Sequence, residues 1–191
     1  MKTYCIKDGY TIRTDLWKHK DAKFKDEYQN EVYEFAKLLC VENNLTTVAD
    51  IGTGSGYKLL KYFHNYDTTG TDLPFMVEWL KEKYPERKWL EYLERGSKYD
   101  LIIASDVIEH VEDPDTILEL IKLHGSKYFI LSTPERDLVG RGLNGPPSNL
   151  SHVREWNKEE FYNYISLHFN VLEHIISNHK QCTQLILGTV N

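Results

Sequence analysis

The sequence predicts an α/β protein built on a doubly wound, mostly parallel sheet. Short apolar runs alternate with helical patterns through most of the chain. One of those runs leads straight into a glycine-rich turn, and Tyr99–Ser105 is nearly continuous in apolar residues, as a central parallel strand is. A length of 191 residues suits one domain. Within it, residues 1–45 read as an N-terminal helical cap or lid and 46–191 as a ligand-binding core.

The elements follow in order. Met1 to Asp26 is polar and aromatic with weak periodicity. From Glu27 the pattern turns helical, with Tyr28, Val32, Phe35, Ala36 and Leu39 on one apolar stripe that Asn43-Asn44 ends. Thr47–Ile51 reads as a buried strand, and Tyr57–Tyr66 as a helix with Leu59, Leu60 and Phe63 inward. Thr68–Leu73 is a second strand. Pro74 opens the next helix, where its missing N–H costs nothing, and Pro85 stops it. Trp89–Leu93 is a short third strand and Tyr99–Ser105 the fourth. Asp113 caps a helix with Pro114 at its first position and Ile117, Leu118, Leu120 and Ile121 on its inner face. Tyr128–Ser132 is a fifth strand. Pro134–Ser151, rich in Pro and Gly, reads as a long loop of the kind that carries function or lacks order. Asn157 with Glu160 resembles a capping box for a helix to about His168. Phe169–Ile176 and Gln184–Thr189, joined near Asn178-His179, form an antiparallel C-terminal hairpin and complete a seven-stranded sheet.

The formal charge is -6 and the pI about 5.8, so no domain-wide basic footprint is present and a phosphate-held nucleic acid is disfavoured. Cys5, Cys40 and Cys182 are odd in number and lack metal-ligand spacing. They read as reduced thiols, with no metal expected. No apolar run reaches the length of a signal peptide or a membrane span, so the expectation is a soluble cytoplasmic protein without a membrane partner.

Asp50-Ile51-Gly52-Thr53-Gly54-Ser55-Gly56 lies between a strand and a helix. Glycine tolerates backbone angles that other residues resist and has no Cβ to block a ligand. A dinucleotide fingerprint needs G-x-G-x-x-G, but counting from Gly52 the sixth position is Tyr57. No Gly-Lys-Ser/Thr follows, which excludes a P-loop. Asp72 ends the second strand 20 residues beyond Gly52, where an acidic group can accept both ribose hydroxyls of an adenosine.

The Asp-x-Gly-x-Gly-x-Gly pattern resembles the first motif of class I S-adenosylmethionine-dependent methyltransferases, which have a Rossmann-like fold. The segment Asp106-Val107-Ile108-Glu109-His110-Val111-Glu112-Asp113-Pro114 is similar to the fourth-strand motif of the small-molecule subgroup. The resemblance covers roughly Val48 to Thr133. It implies that Gly52, Thr53, Gly54 and Gly56 wrap the methionine part of S-adenosyl-L-methionine and that Asp50 serves its ammonium. It places Asp72 on the ribose, Leu73 along the adenine, and Ser105, Asp106 and Val107 near the cofactor. Glu91 to Glu94 occupy the region of the adenine amine without singling out a contact. The product would be S-adenosyl-L-homocysteine.

Glu109 and His110 would face the active-site mouth. A hydroxyl acceptor benefits from a base near neutrality, which makes His110 the leading general base; a structural role for its imidazole stands beside that reading. In the Pro134–Trp156 segment, Asn149 and Arg154 are candidate acceptor ligands and His152 a second base candidate. Arg154 can grip a phosphate or carboxylate bidentately, or pair with Glu155 or Glu159 at the surface. The His152-Val-Arg-Glu-Trp156 stretch is similar to family members from bacterial glycan and cell-surface biosynthesis. Tyr10, Arg13 and the Tyr28–Tyr33 segment read as a further part of the lid. The expected activity is methyl transfer to a small molecule, to oxygen before nitrogen, with a sugar or phosphate-bearing metabolite as the acceptor. The alternative is a catalytically inactive cofactor-binding scaffold of the same fold.

Overall fold

The computed structural model describes residues 2–16, 27–140 and 142–190. The part of the N-terminal expectation that falls on 17–26 lies outside the described residues. The strands are β1 (Thr47–Ile51), β2 (Asp67–Thr71), β3 (Lys88–Leu90), β4 (Tyr99–Ser105), β5 (Gly125–Pro134), β6 (Asn170–Asn178) and β7 (Thr183–Thr189). They form one seven-stranded sheet in the order β3-β2-β1-β4-β5-β7-β6. All pairings from β3 across to β5 are parallel, and β7 runs antiparallel to both β5 and β6.

The helices are α1 (Asn30–Glu42), α2 (Tyr57–Phe63), α3 (Pro74–Lys83), α4 (Asp115–His124), α5 (Arg136–Val139) and α6 (Lys158–Ser166). Side chains alternate across a strand, and here both faces are covered. Leu101 and Ile103 of β4 pack with Val32, Ala36, Leu59, Phe63 and Leu80 from α1, α2 and α3. Ile102 and Ala104 pack with Ile117, Ile121, Phe161 and Ile165 from α4 and α6. Two buried faces explain why β4 is an unbroken apolar run rather than an alternating one. The chain leaves β1 toward β2 and β3, then returns to add β4 and β5 on the other side. The crevice between the carboxyl ends of β1 and β4 is therefore the switch point where such sheets bind ligands.

Several boundaries differ from the sequence expectation. Tyr28 precedes α1 and is 63% exposed, so the apolar stripe starts at Val32. α4 begins at Asp115, with Asp113 Oδ1 accepting the Asp115 N–H. β5 extends to Pro134 because β7 pairs along its length, down to Pro134 opposite Thr183. The Pro134–Ser151 loop contains α5, capped by the Glu135 carboxylate on the Leu138 N–H and closed by Gly140 at φ 69°. The capping box of α6 forms as expected, but the helix ends at Ser166. Glu160, the acidic member of that box, also holds the fully buried Arg136 through two contacts of 2.6 and 2.8 Å.

The N-terminal segment is laced to the chain after β5. The Trp156 indole donates to the Tyr4 carbonyl at 2.9 Å, the Glu155 N–H to the Tyr10 hydroxyl, and the Arg13 N–H to the Val153 carbonyl. A Cβ on Gly145 would stand 1.9 Å from the Thr11 carbonyl oxygen, so only glycine admits this approach. Trp156 is fully buried and stacks on Tyr164 at 5.8 Å. Truncating it removes a large core side chain and one tie to the N-terminal segment. Trp156→Ala is expected to cost about 3–5 kcal/mol in urea unfolding, whereas Leu172→Ala, on a half-exposed side chain, changes stability by less than about 1 kcal/mol.

Candidate active site

The glycine loop enters from β1 with three residues in the left-handed region: Gly52 at φ 72°, Gly54 at 56° and Gly56 at 68°. The N–H groups of Gly52 and Thr53 both donate to the Thr71 carbonyl, which stitches the loop to the end of β2. A Cβ on Gly52 would lie 2.5 Å from Val107 Cγ2, and one on Gly56 2.8 Å from the Trp89 ring. A Cβ on Gly54 would meet nothing within 4 Å. Packing thus demands glycine at Gly52 and Gly56, while Gly54 keeps space open.

Two carboxylates hold this loop. Asp50 is completely buried beneath it. Its oxygens accept the Tyr33 hydroxyl at 3.0 and 3.1 Å and the Thr53 hydroxyl at 2.8 Å. Burial pushes its carboxyl up to about 7, against the opposing pull of those hydroxyls. Asp50 is not among the side chains that line the cleft; its oxygens are engaged by Tyr33 and Thr53 beneath the loop. Asp72 is half-buried and does line the cleft. It accepts the Gly54 N–H and the Leu73 N–H, each at 2.7 Å.

The cleft has a volume of about 600 Å³, within the range of small-molecule sites. Gly52, Asp72 and the half-exposed Leu73 form one side, and Asp106, Val107 and His110 the other. Glu91, Tyr92 and Leu93 reach the wall near the adenine region expected from sequence, and Leu16 and Ser151 close over it from the N-terminal segment and the chain after β5. Asp106 adopts φ 52°, unusual for a residue with a Cβ. It is held there by the Ser132 hydroxyl on Oδ1 at 2.6 Å, by Gln29 Nε2 on Oδ2 at 2.8 Å, and by its own N–H on the Ser132 carbonyl. Burial raises its carboxyl, and the Ser132 and Gln29 bonds oppose that rise. Ser105 shares a 2.9 Å contact with Ser132 and does not line the cleft.

Past Val107 the chain makes one 3₁₀ turn, Ile108–His110, which buries Glu109 and leaves His110 half-buried. Glu109 Oε2 accepts the Thr133 hydroxyl at 3.1 Å, while Oε1 receives no hydrogen bond from the described residues. Burial, with Asp106 adding to it, holds this carboxyl well above the usual range. The Val153 N–H on the Glu109 carbonyl docks the following segment here, and His152 arrives beside His110. The two rings lie nearly perpendicular with centroids 4.7 Å apart. Each Nε2 is 4.0 Å from Glu109 Oε1. His110 Nδ1 lies 3.0 Å from the Ser151 carbonyl, and His152 Nδ1 lies 2.7 Å from Glu155 Oε1.

Asn149 is exposed, with Nδ2 2.9 Å from His152 Nε2. Arg154 takes neither of the partners expected for it. It is buried, with Nη1 donating to the Val111 carbonyl and Nη2 to the Glu112 carbonyl, and its guanidinium lies over Tyr4. It lines a separate cavity of about 490 Å³ against the N-terminal segment rather than this cleft, and both of its terminal nitrogens are engaged by main-chain carbonyls. Sequence reasoning placed Tyr33 and Gln29 only in a lid segment and Glu155 only beside Arg154, and it missed Ser132. Only Glu155 left a local signal, the His-x-x-Glu step from His152.

A glycine turn after β1, a carboxylate after β2 and a cleft at the β1/β4 switch point define an α/β protein that binds a nucleotide-type cofactor. A family model described as a methyltransferase domain matches residues 23–168. The chain belongs to that family, as the resemblance of its motifs implied. No curated protein matches the sequence. Solved structures share the fold at low identity. An S-adenosylmethionine-dependent methyltransferase from Clostridium acetobutylicum ATCC 824 superposes with a TM-score of 0.68 at 15% identity, covering 87% of this chain and 93% of that one. Magnesium protoporphyrin IX methyltransferase from Synechocystis PCC 6803, solved with bound SAH, gives 0.62 at 17%, covering 90% of each chain. The plantazolicin methyltransferase BpumL in complex with SAH gives 0.62 at 14%, covering 85% and 83%.

The buried Asp50 makes a pH prediction. Its folded value of about 7 exceeds the ordinary Asp value, so the folded chain binds that proton more tightly than the unfolded one. Its contribution to stability is complete below about pH 4 and is lost as the pH rises through about 7. The melting temperature of Asp50→Asn relative to the parent is therefore expected to climb between about pH 5 and 8 and then level off. Differential scanning calorimetry across that range checks it, and a constant difference would contradict it.

Proposed function

We propose that this protein transfers a methyl group from S-adenosyl-L-methionine to a hydroxyl oxygen of a small polar acceptor. The observation that carries this reading is one continuous site. A cofactor-sized cleft at the switch point reaches His110, and Glu109 and His152 lie buried directly behind that ring. The residues present fit the cofactor. Asp72 offers a carboxylate at the ribose position, Gly54 leaves open space, and Leu73 and Leu93 supply apolar walls for an adenine. Asp106 lines the same cleft with a carboxylate suited to the cofactor's positive charge. Asp50 acts as a positioning residue, shaping the loop from below.

The cofactor, when bound, supplies a methyl group on an activated sulfonium, so the protein's main task is orientation. Gly52, Thr53 and Gly56 hold the loop in shape, and Val107 packs against it to set the cleft's width. The Nε2 atoms of His110 and His152 face the acceptor end and favour loss of its hydroxyl proton, which supports oxygen over nitrogen as the acceptor. Asn149 is the exposed polar group that contacts the acceptor beside them. The segment around Ser151 and the N-terminal segment through Leu16 act as a lid over a site sized for a metabolite. Because Arg154 is tied to main-chain carbonyls, a neutral polyhydroxyl acceptor such as a sugar is favoured over a phosphate. The likeness of His152–Trp156 to glycan-pathway enzymes agrees with such an acceptor.

Isothermal titration calorimetry with S-adenosylhomocysteine tests the cofactor assignment. The parent protein is expected to bind, and Asp72→Ala to bind at least about tenfold more weakly, roughly 1.4 kcal/mol. No binding by the parent, or equal binding by the variant, would overturn it.

A further inference from the structure

We propose that Glu109, His110 and His152 form a site for a divalent transition-metal ion, and that this ion binds the acceptor oxygen. The site itself stands on geometry. Only its catalytic use rests on the function proposed above. One ligating atom from each of the three residues lies within 4.8 Å of the other two.

The protonation pattern follows from what each ring touches. A carbonyl oxygen only accepts, so the Ser151 carbonyl fixes the proton of neutral His110 on Nδ1. The Glu155 carboxylate does the same for His152. Both Nε2 atoms then present lone pairs, and both face Glu109 Oε1, which is fully buried and accepts no hydrogen bond from the described residues. Three electron-pair donors thus converge at distances too long for hydrogen bonds to one another. Of the three, Glu109 Oε1 is the buried atom that accepts nothing from the described residues, which is costly without a cation, and a bound ion at about 2.0–2.2 Å from each would draw the three together.

The supports around the ligands are those a metal site needs. Glu155 and Ser151 orient the two imidazoles, and Thr133 holds the other oxygen of Glu109. Asp106 and Glu155 add negative charge nearby. Asn149 Nδ2 now donates to His152 Nε2, but Asn149 is exposed and can rotate away. Two nitrogens and one carboxylate suit zinc-, cobalt- or manganese-class ions better than calcium or magnesium, which prefer oxygen alone. Three protein ligands leave coordination positions open, and His110 and Ser151 border the cofactor cleft, so those positions adjoin it.

With the ion in place the two Nε2 lone pairs are its ligands and no longer act as bases; the ion takes over that task, and an acceptor hydroxyl bound to it becomes more acidic and releases its proton to water. Its oxygen then forms a bond to the methyl carbon as the carbon–sulfur bond breaks, and the electron pair of that bond stays on sulfur.

The test titrates the metal-free full chain with Co²⁺ and follows its ligand-field absorption. One equivalent is expected to bind, to be displaced by Zn²⁺, and to show imidazole-ligand character. Glu109→Gln and His152→Ala are each expected to weaken Co²⁺ binding at least about tenfold while S-adenosylhomocysteine binding persists, which shows that the variants are folded. No Co²⁺ binding by the parent, or parent-like Co²⁺ affinity in both variants, would overturn the site. Methyl transfer that survives complete chelation would overturn the ion's catalytic use and leave the methyltransferase reading standing. Loss of S-adenosylhomocysteine binding by the metal-loaded parent would instead sink the methyltransferase reading and leave the metal site intact.

Discussion

The chain must turn from β1 into α2 through three left-handed glycines, and most of the site depends on how that turn is held. Left-handed backbone is cheap for glycine but does not fix itself, since glycine also has the most freedom to lose. The protein fixes it from three directions. Asp50 braces it from beneath through Tyr33 and Thr53, the Thr71 carbonyl ties it to β2, and Asp72 holds the Gly54 N–H from the cleft side. Val107 then packs where a Cβ on Gly52 would otherwise stand. One loop conformation therefore sets the position of both cleft walls.

The opposite wall uses strain in a similar way. Asp106 holds a backbone conformation that costs energy for a non-glycine residue, and Ser132 of the neighbouring strand and Gln29 of the N-terminal region stabilise it. That bend aims the next turn so that Glu109 goes inward and His110 stands at the cleft. The segment after β5 docks on the same turn through Val153, and Arg154 secures the chain just beyond it. The cleft and the Glu109–His110–His152 group are thus two consequences of the same strand-end geometry at β1 and β4.

Much of this was legible in the residues. β1 and β4 appear at the boundaries their apolar runs predict, because a strand buried on both faces is mostly apolar along its length and stands out from the polar turns around it. The capping box at Asn157 and Glu160 was equally local. What escaped depends on tertiary context. A strand-end carboxylate looks the same in sequence whether it faces a ligand or a loop, so the inward role of Asp50 was invisible without Tyr33. The contacts of Arg154 were equally illegible, because its aromatic neighbour Tyr4 and its carbonyl partners lie far away in the chain. α5 was missed because four residues between Pro134 and Gly140 carry no periodicity. The cysteines carry no metal-ligand spacing, and the convergent Glu109–His110–His152 set has none in sequence either, since it joins adjacent residues of one turn to a histidine from a distant segment.

The central claim is that one sheet end brings a methyl donor to an oxygen nucleophile. It is tested most directly by supplying S-adenosylmethionine with an isotopically labelled methyl group to the metal-loaded protein and a panel of hydroxylated metabolites, then reading products by mass spectrometry and NMR. Labelled methyl on an acceptor oxygen is the predicted result. Cofactor binding with no labelled product across the panel, or label found only on nitrogen, would contradict it.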